Sequence, residues 1–171
     1  IDNRKITKNC IFFAIKGERF NANDVAVEAL EKGASIAVVD EVNFDIKDAE
    51  GKGVIIKVDK TVKALMRLAN FYRNSLDIKV IGITGSTGKT STKDLIAALL
   101  SEKYKVFKTK GNFNSEIGLP LMILQMDKSY DIAVLEMGMS DLGEIKRLAE
   151  TARPDMAAIT NIGLSHLENL K

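Results

Sequence analysis

The chain has no tryptophan, one cysteine, one histidine and two prolines among its 171 residues. A single cysteine, Cys10, leaves no partner for an internal disulfide, which excludes a disulfide-stapled scaffold and fits a reducing compartment. Cys10 opens the apolar run 10–15 and reads as a small buried hydrophobe. No stretch approaches the ~20 apolar residues that a membrane-spanning helix needs. There is no internal repeat and no low-complexity tract. Charge of one sign is also missing: 25 basic and 23 acidic residues leave +2. They are mixed along the chain, without the clustered basic excess of a nucleic-acid binder. No signal peptide is visible, but the chain starts at Ile1 without a methionine, so this absence does not exclude a leader or upstream segment.

What is present is the composition of a globular protein. Hydrophobic residues make up 46% and charged residues 28%, and mean hydropathy is close to zero. That supports one large domain or two small ones with a real core. Apolar runs at 10–15, 35–39 and 53–58 read as buried strands. Between the first two, Asp24 is placed to cap a helix through Lys32, with Val25, Ala29 and Leu30 on one face and Gly33 as its stop. From Thr61 to Asn74, Val62, Leu65, Met66, Ala69 and Tyr72 recur at helical spacing.

A second series begins near Ile78. Strands are expected at 79–84, 106–109, 131–136 and 156–160. Helices are expected at 89–101, 117–125 and 143–152, the first with Leu95, Ile96, Leu99 and Leu100 inward. Pro120 and Pro154 sit at the expected element boundaries. Strands alternating with helices predict an α/β protein with parallel sheets. The expected organisation is a small N-terminal α/β domain over 1–77 and a phosphate-loop parallel-sheet domain over 78–171, with both ends incomplete.

The segment Gly82-Ile83-Thr84-Gly85-Ser86-Thr87-Gly88-Lys89-Thr90-Ser91 carries the strongest chemistry. It follows an apolar strand and opens a helix, the setting of a phosphate loop. Amides there converge on phosphate oxygens, with the helix N-terminus adding positive potential. Gly85 and Gly88 allow backbone geometry that a Cβ obstructs. Lys89 is expected on the β- and γ-phosphates, and Thr90 on Mg²⁺. Ile83 stands where the longer phosphate-loop pattern has glycine, so the form here is the short Gly-x-x-Gly-Lys-Thr-Ser.

Glu136 ends a buried strand, at the sheet edge where parallel α/β proteins bind ligands. It can hold Mg²⁺ directly or through water. His166 follows the 156–160 strand, so the same edge can bring it to a metal or phosphate. The segment 110–120, rich in small amides, reads either as a loop with a helix cap at Asn114 or Ser115 or as a loop facing nucleotide or substrate. Asp2-Asn3-Arg4 and Lys16-Gly17-Glu18-Arg19-Phe20 read, on physics alone, as solvated charge beside turns.

Several of these motifs, in this order, resemble the Mur ligase family, which builds the peptide of cell-wall precursors. Thr84 to Thr90 looks like that family's short phosphate loop, with Thr87 in place of the usual asparagine. The segments 111–120, 135–138 and 160–168 are similar to the branch that joins D-alanyl-D-alanine to UDP-MurNAc-tripeptide. Asp2-Asn3-Arg4 resembles an Asp-Ser/Thr-Arg motif near the UDP-sugar, and 13–20 resembles the substrate-binding turn. Asn21-Ala22-Asn23-Asp24 replaces a common Asp-Gly-His-Asp.

The resemblance implies an ATP- and Mg²⁺-dependent amide ligase of three domains, working through an acyl phosphate as a cytoplasmic monomer. Most of the first domain and about half of the second are covered. Past Lys171 the family carries a carbamylated lysine and a C-terminal domain, so the 171 residues alone are expected to bind without turnover. By the same resemblance, Lys89, Glu136 and His166 are catalytic, and Thr90, Glu136 and His166 hold metal. Gly85 to Ser91 bind ATP. Asp2, Asn3, Arg4, Lys16 to Phe20, Asn112, Asn114, Ser115, Glu116 and Asn161 contact substrate. The competing readings are a sister ligase that adds the third amino acid, or glutamate to a folate, and a nucleotide- or UDP-sugar-binding module without catalysis. A hydrolytic switch is disfavoured by the missing guanine-reading Asn-Lys-x-Asp.

Overall fold

The computed structural model describes residues 1–163 as two compact units, divided between Leu65 and Met66. In the first unit, β1 (Ile11–Phe13), β2 (Ile36–Val39) and β3 (Val54–Lys57) form a parallel sheet in that order. β2 is the central strand, and Ala37, Val38 and Val39 are all buried, as a strand covered on both faces requires. Phe12, Ala14, Ala26, Ala29, Leu30, Ala37 and Val39 make the core. Cys10 is half-buried at its margin.

The helix expected from Asp24 begins later, as α1 (Ala26–Glu31). A 3-10 turn over Ala22–Val25 precedes it, and Asn21, not Asp24, caps that turn by accepting from the Asn23 amide at 3.1 Å. The cause is Asn23, which is fully buried. Its Oδ1 accepts the amide of Asp40 at 3.1 Å, and its Nδ2 donates to Asn21 Oδ1 and Asp40 Oδ1, both at 2.9 Å. Anchoring that side chain under the end of β2 tightens the chain one turn early. Gly33, at φ +110°, ends the helix as expected.

α2 (Thr61–Asn74) runs across the division. Its first amide and hydroxyl, from Thr61, donate to Asp40 Oδ2 at 3.1 and 3.2 Å. Further along, Tyr72 donates its hydroxyl to the Met126 carbonyl at 2.7 Å, and Arg73 Nε donates to the Ala152 carbonyl at 3.0 Å.

The second unit is a parallel sheet ordered β5-β6-β4-β7, built from β4 (Lys79–Thr84), β5 (Val106–Lys108), β6 (Ile132–Glu136) and β7 (Met156–Ile159). α3 (Lys89–Ser101), α4 (Gly118–Ile123) and α5 (Glu144–Ala152) connect them. Val80, Ile83, Ala133, Val134 and Leu135 are wholly buried, each larger side chain contributing roughly 1.5–3 kcal/mol by leaving water. The chain leaves β4 towards β6 and β5 and later returns to β7 on the other side of β4. A ligand crevice belongs where the connections diverge, at the carboxyl end of β4.

α3 corrects one expectation. Leu95 and Leu99 are 63% and 67% exposed, and the inward face carries Lys93, Ile96, Ala97 and Leu100 instead. Among the described residues no helix is long and apolar enough to cross a membrane.

Candidate functional site

Strand register builds the site. Ile83 of β4 lies beside Glu136 of β6, and Thr84 beside Ile159 of β7. The loop after β4, the acid ending β6 and the exit of β7 therefore meet at one edge.

In the loop, Gly85 has φ +133° and Gly88 has φ +78°. A Cβ on Gly85 would lie 2.1 Å from Thr160 Oγ1 and 2.9 Å from the Asn161 carbonyl. Glycine is required there by both conformation and space. Gly88 is the N-cap of α3 and offers no side chain, so the first-turn amides keep their donors for an anion.

Residues after β7 hold the loop from above. Asn161 Oδ1 accepts the Thr87 amide at 2.9 Å, and Asn161 Nδ2 donates to Thr87 Oγ1 at 3.0 Å. The Ser86 amide donates to the Asn161 carbonyl at 3.1 Å, and Ser86 Oγ accepts the Gly163 amide at 2.9 Å. Lys89 Nζ donates to the Gly85 carbonyl at 2.7 Å and lies 3.3 Å from that of Ser86. Its ammonium sits inside the curve of its own loop. A cavity of about 220 Å³ adjoins it, lined by Gly85, Ser86, Lys89, Met139, Ile145 and Asn161 among others.

Glu136 is buried, with 3% of its surface exposed. Thr90 donates its hydroxyl to Glu136 Oε2 at 2.9 Å, and Asn114 Nδ2 donates to Oε1 at 2.8 Å. The Asn114 carbonyl accepts the Gly138 amide at 2.8 Å. A Cβ on Gly138 would press against the Asn114 amide at 3.0 Å.

Among the described residues there is no cluster of three or more His, Cys, Asp or Glu. What is present is a hydroxyl and a carboxylate, both hard oxygen donors. That set suits a small divalent cation sharing its shell with phosphate oxygens and water, as Mg²⁺ does, rather than a metal caged by protein.

The other predicted positions are placed as follows. Ser115 Oγ accepts the Gly118 amide at 3.2 Å at the start of α4. Glu116 pairs with Arg147 of α5, and that hydrogen bond raises the arginine's pKa. Asn112 and Ser91 are exposed. His166 lies outside the described residues.

In the first unit, Asp2, Asn3, Arg4 and Phe20 line a cleft of about 630 Å³ with Ile1 and Val25. Arg4 grips Asp2 through two nitrogens, at 2.9 and 3.1 Å. Those hydrogen bonds, with that of the Arg4 amide, hold the Asp2 carboxyl down to about 2. Asn3 Nδ2 reaches Glu28 Oε2 at 3.5 Å. The Gly17 amide closes the 16–21 turn on the Phe20 carbonyl at 2.9 Å, leaving Glu18 and Arg19 in solvent. Lys16 bonds Glu41 at 2.8 Å, which raises its pKa.

Sequence reasoning missed Lys93 and Thr109. Their only advance signal is a polar side chain at a position whose helical or strand neighbours point inward.

A parallel sheet that ends in a two-glycine loop, with a lysine and a threonine opening the next helix and an acid at the adjacent strand end, defines an α/β protein of the phosphate-loop class. Residues 83–171 match the model of the Mur ligase middle domain, and residues 1–73 that of the Mur ligase family, catalytic domain. The chain belongs to the Mur ligase family.

It is 46% identical over 169 residues to the UDP-N-acetylmuramoyl-tripeptide–D-alanyl-D-alanine ligase of Bacillus subtilis, covering 99% of this chain and 36% of that protein. The Escherichia coli enzyme of the same name is 38% identical, over 98% of this chain and 36% of its own length. Among solved structures, MurF from Thermotoga maritima in complex with ADP superposes with a TM-score of 0.87 at 38% identity, covering 97% of this chain and 38% of that one. The chain thus spans about a third of the length of the relatives it matches.

Proposed function

We propose that these residues belong to an ATP-dependent ligase that joins D-alanyl-D-alanine to the terminal carboxyl of UDP-MurNAc-tripeptide, acting in the cytoplasm as a monomer. The substrate-binding unit would end near Asp77, in the gap between the two matched segments. The observation that carries the reading is the convergence of Thr90 Oγ1 and Glu136 Oε2, 2.9 Å apart, at the mouth of a glycine-shaped loop. The names of the relatives, and the ADP in one of them, support it.

In this reading the substrate carboxylate attacks the γ-phosphorus of ATP, and ADP departs. The acyl phosphate formed is then attacked at its carbonyl carbon by the dipeptide amine. Phosphate leaves with the C–O electron pair, and the nitrogen releases a proton. No protein nucleophile is needed. The difficulty is bringing one anion onto another, so the protein's task is charge neutralisation and alignment.

Lys89 extends its ammonium from the Gly85 and Ser86 carbonyls to the β- and γ-phosphates. The α3 amides take the remaining phosphate oxygens. Thr90 and Glu136 would hold Mg²⁺, which would supply positive charge against the phosphates. Asn114 keeps the Glu136 carboxylate turned towards Thr90. His166, outside the described residues, would assist at a second metal or the acyl phosphate. Asp2, Asn3, Arg4 and the 16–20 turn face the UDP-sugar.

The test is phosphate release by the full-length protein, with UDP-MurNAc-tripeptide and D-alanyl-D-alanine supplied separately and together. Release is expected only with both. Lys89→Ala is expected to lower it about 10²- to 10³-fold, the scale on which one charge-stabilising donor acts. Release with a single amino acid in place of the dipeptide would move the chain to a sister ligase.

A further inference from the structure

Lys93 lies one turn beyond Lys89 on α3 and is 3% exposed. Its Nζ donates to the Thr109 carbonyl at 3.0 Å. The acid beside it, Asp94, is 3.6 Å away and bonds Lys108 more closely, at 2.8 Å. Taking an ammonium out of water is costly unless it is well compensated. The same helix leaves Leu95 and Leu99 in solvent. A leucine at 93 and a lysine at 95 would serve α3 better as an amphipathic helix, so the buried charge calls for another role.

Thr109, which follows β5, supplies one. It is 1% exposed, and each of its polar groups is engaged. Its amide donates to the Val134 carbonyl at 3.1 Å, and its hydroxyl accepts the Glu136 amide at 2.9 Å. Its carbonyl is the group Lys93 holds. A closed circuit results: Thr90, three residues before Lys93 on α3; Lys93 to Thr109; Thr109 to the Glu136 backbone; Glu136 Oε2 back to Thr90.

We infer that Lys93 is a positioning residue for the divalent-cation site. It fixes α3 against the end of β6 at the separation where the Thr90 hydroxyl and the Glu136 carboxylate converge. Lys93 does not touch the ion or the phosphates. It acts through Thr109, and the inference rests on the nucleotide and Mg²⁺ reading above.

The experiment is calorimetric titration of ADP into the full-length protein, in EDTA and at graded Mg²⁺, for wild type, Lys93→Met, Lys93→Arg and Thr109→Val. Lys93→Met keeps the side chain's bulk and removes the ammonium. It should raise the half-saturating Mg²⁺ about 10- to 100-fold, as loss of a group that orients a metal ligand does. ADP affinity in EDTA should stay that of wild type. Lys93→Arg, which retains a donor for the carbonyl, should recover part of the loss. Thr109→Val removes the acceptor of the Glu136 amide at constant size and should reproduce the Mg²⁺ defect.

A folded Lys93→Met with wild-type Mg²⁺ dependence, whatever its melting temperature, overturns the inference. Should that variant fail to fold, Thr109→Val with wild-type Mg²⁺ dependence overturns it equally. Wild-type protein whose ADP affinity ignores Mg²⁺ would instead sink the metal reading, and this inference with it.

Discussion

Asn114 was expected in a substrate-facing loop, and its side chain donates to the acid that ends β6. Its carbonyl accepts the Gly138 amide, which fixes the backbone from which the side chain reaches Glu136. Asn114→Ala should therefore weaken Mg²⁺-dependent nucleotide binding about 10- to 100-fold and, by stripping a donor from the buried Glu136 carboxylate, cost about 1–3 kcal/mol in urea unfolding; an unaltered Mg²⁺ titration would return Asn114 to a substrate role. Asn23 sits at the opposite extreme. Its hydrogen bonds lie within the first unit and tie the 21–24 turn to the end of β2. Asn23→Ala leaves the half-buried Asp40 amide without its acceptor and should cost about 1–3 kcal/mol, measured by urea unfolding. Asn23 stands where the resembling family commonly has histidine, and amide chemistry serves both the donor and the acceptor needs of that pocket. Motif residues were legible one at a time because glycine, lysine and an acid at strand ends have few other uses. Pairings such as Asn114 with Glu136 were not, because they join segments 22 residues apart and depend on strand register.

Every regular element expected from periodicity is present, and the faces are where the reading strained. α3 carries Leu95, Ile96, Leu99 and Leu100, two i,i+4 apolar pairs displaced by one residue. Periodicity alone cannot choose which pair turns inward. The choice is made by Lys93 and Ala97, which share the stripe of Ile96 and Leu100 and pack towards β5 and β6. Leu95→Ala and Leu99→Ala should each shift stability by less than about 0.5 kcal/mol. Leu135→Ala, wholly buried in β6, should cost about 2–5 kcal/mol. Chemical denaturation of the three variants side by side checks the assignment, and a Leu95 variant as costly as the Leu135 one would contradict it.

Across the whole molecule, charge is balanced in number and not in titration. Asp2, Glu28, Asp40, Glu41, Asp94, Asp127 and Asp155 all have depressed pKa values. Asp155 shows how: it accepts the Val80 amide at 2.9 Å and the Lys79 ammonium at 3.0 Å, with Arg73 beyond. A carboxylate whose native pKa is lowered stabilises the fold above its unfolded value, ~4. That stability is lost as pH falls through the native value. The expected profile is flat around neutrality and falls below about pH 4, each exposed pair adding little because water screens it. Asp155→Asn should flatten the acid limb, measured by melting temperature against pH; an unchanged limb would remove Asp155 from the account. The bracket that Thr160, Asn161 and Gly163 place over the phosphate loop bears on time as well as shape. A loop already gripped by its neighbours has little ordering left to do when an anion arrives. Nucleotide association should then follow a single exponential whose rate rises linearly with concentration, whereas a loop that must first assemble would show a rate that levels off.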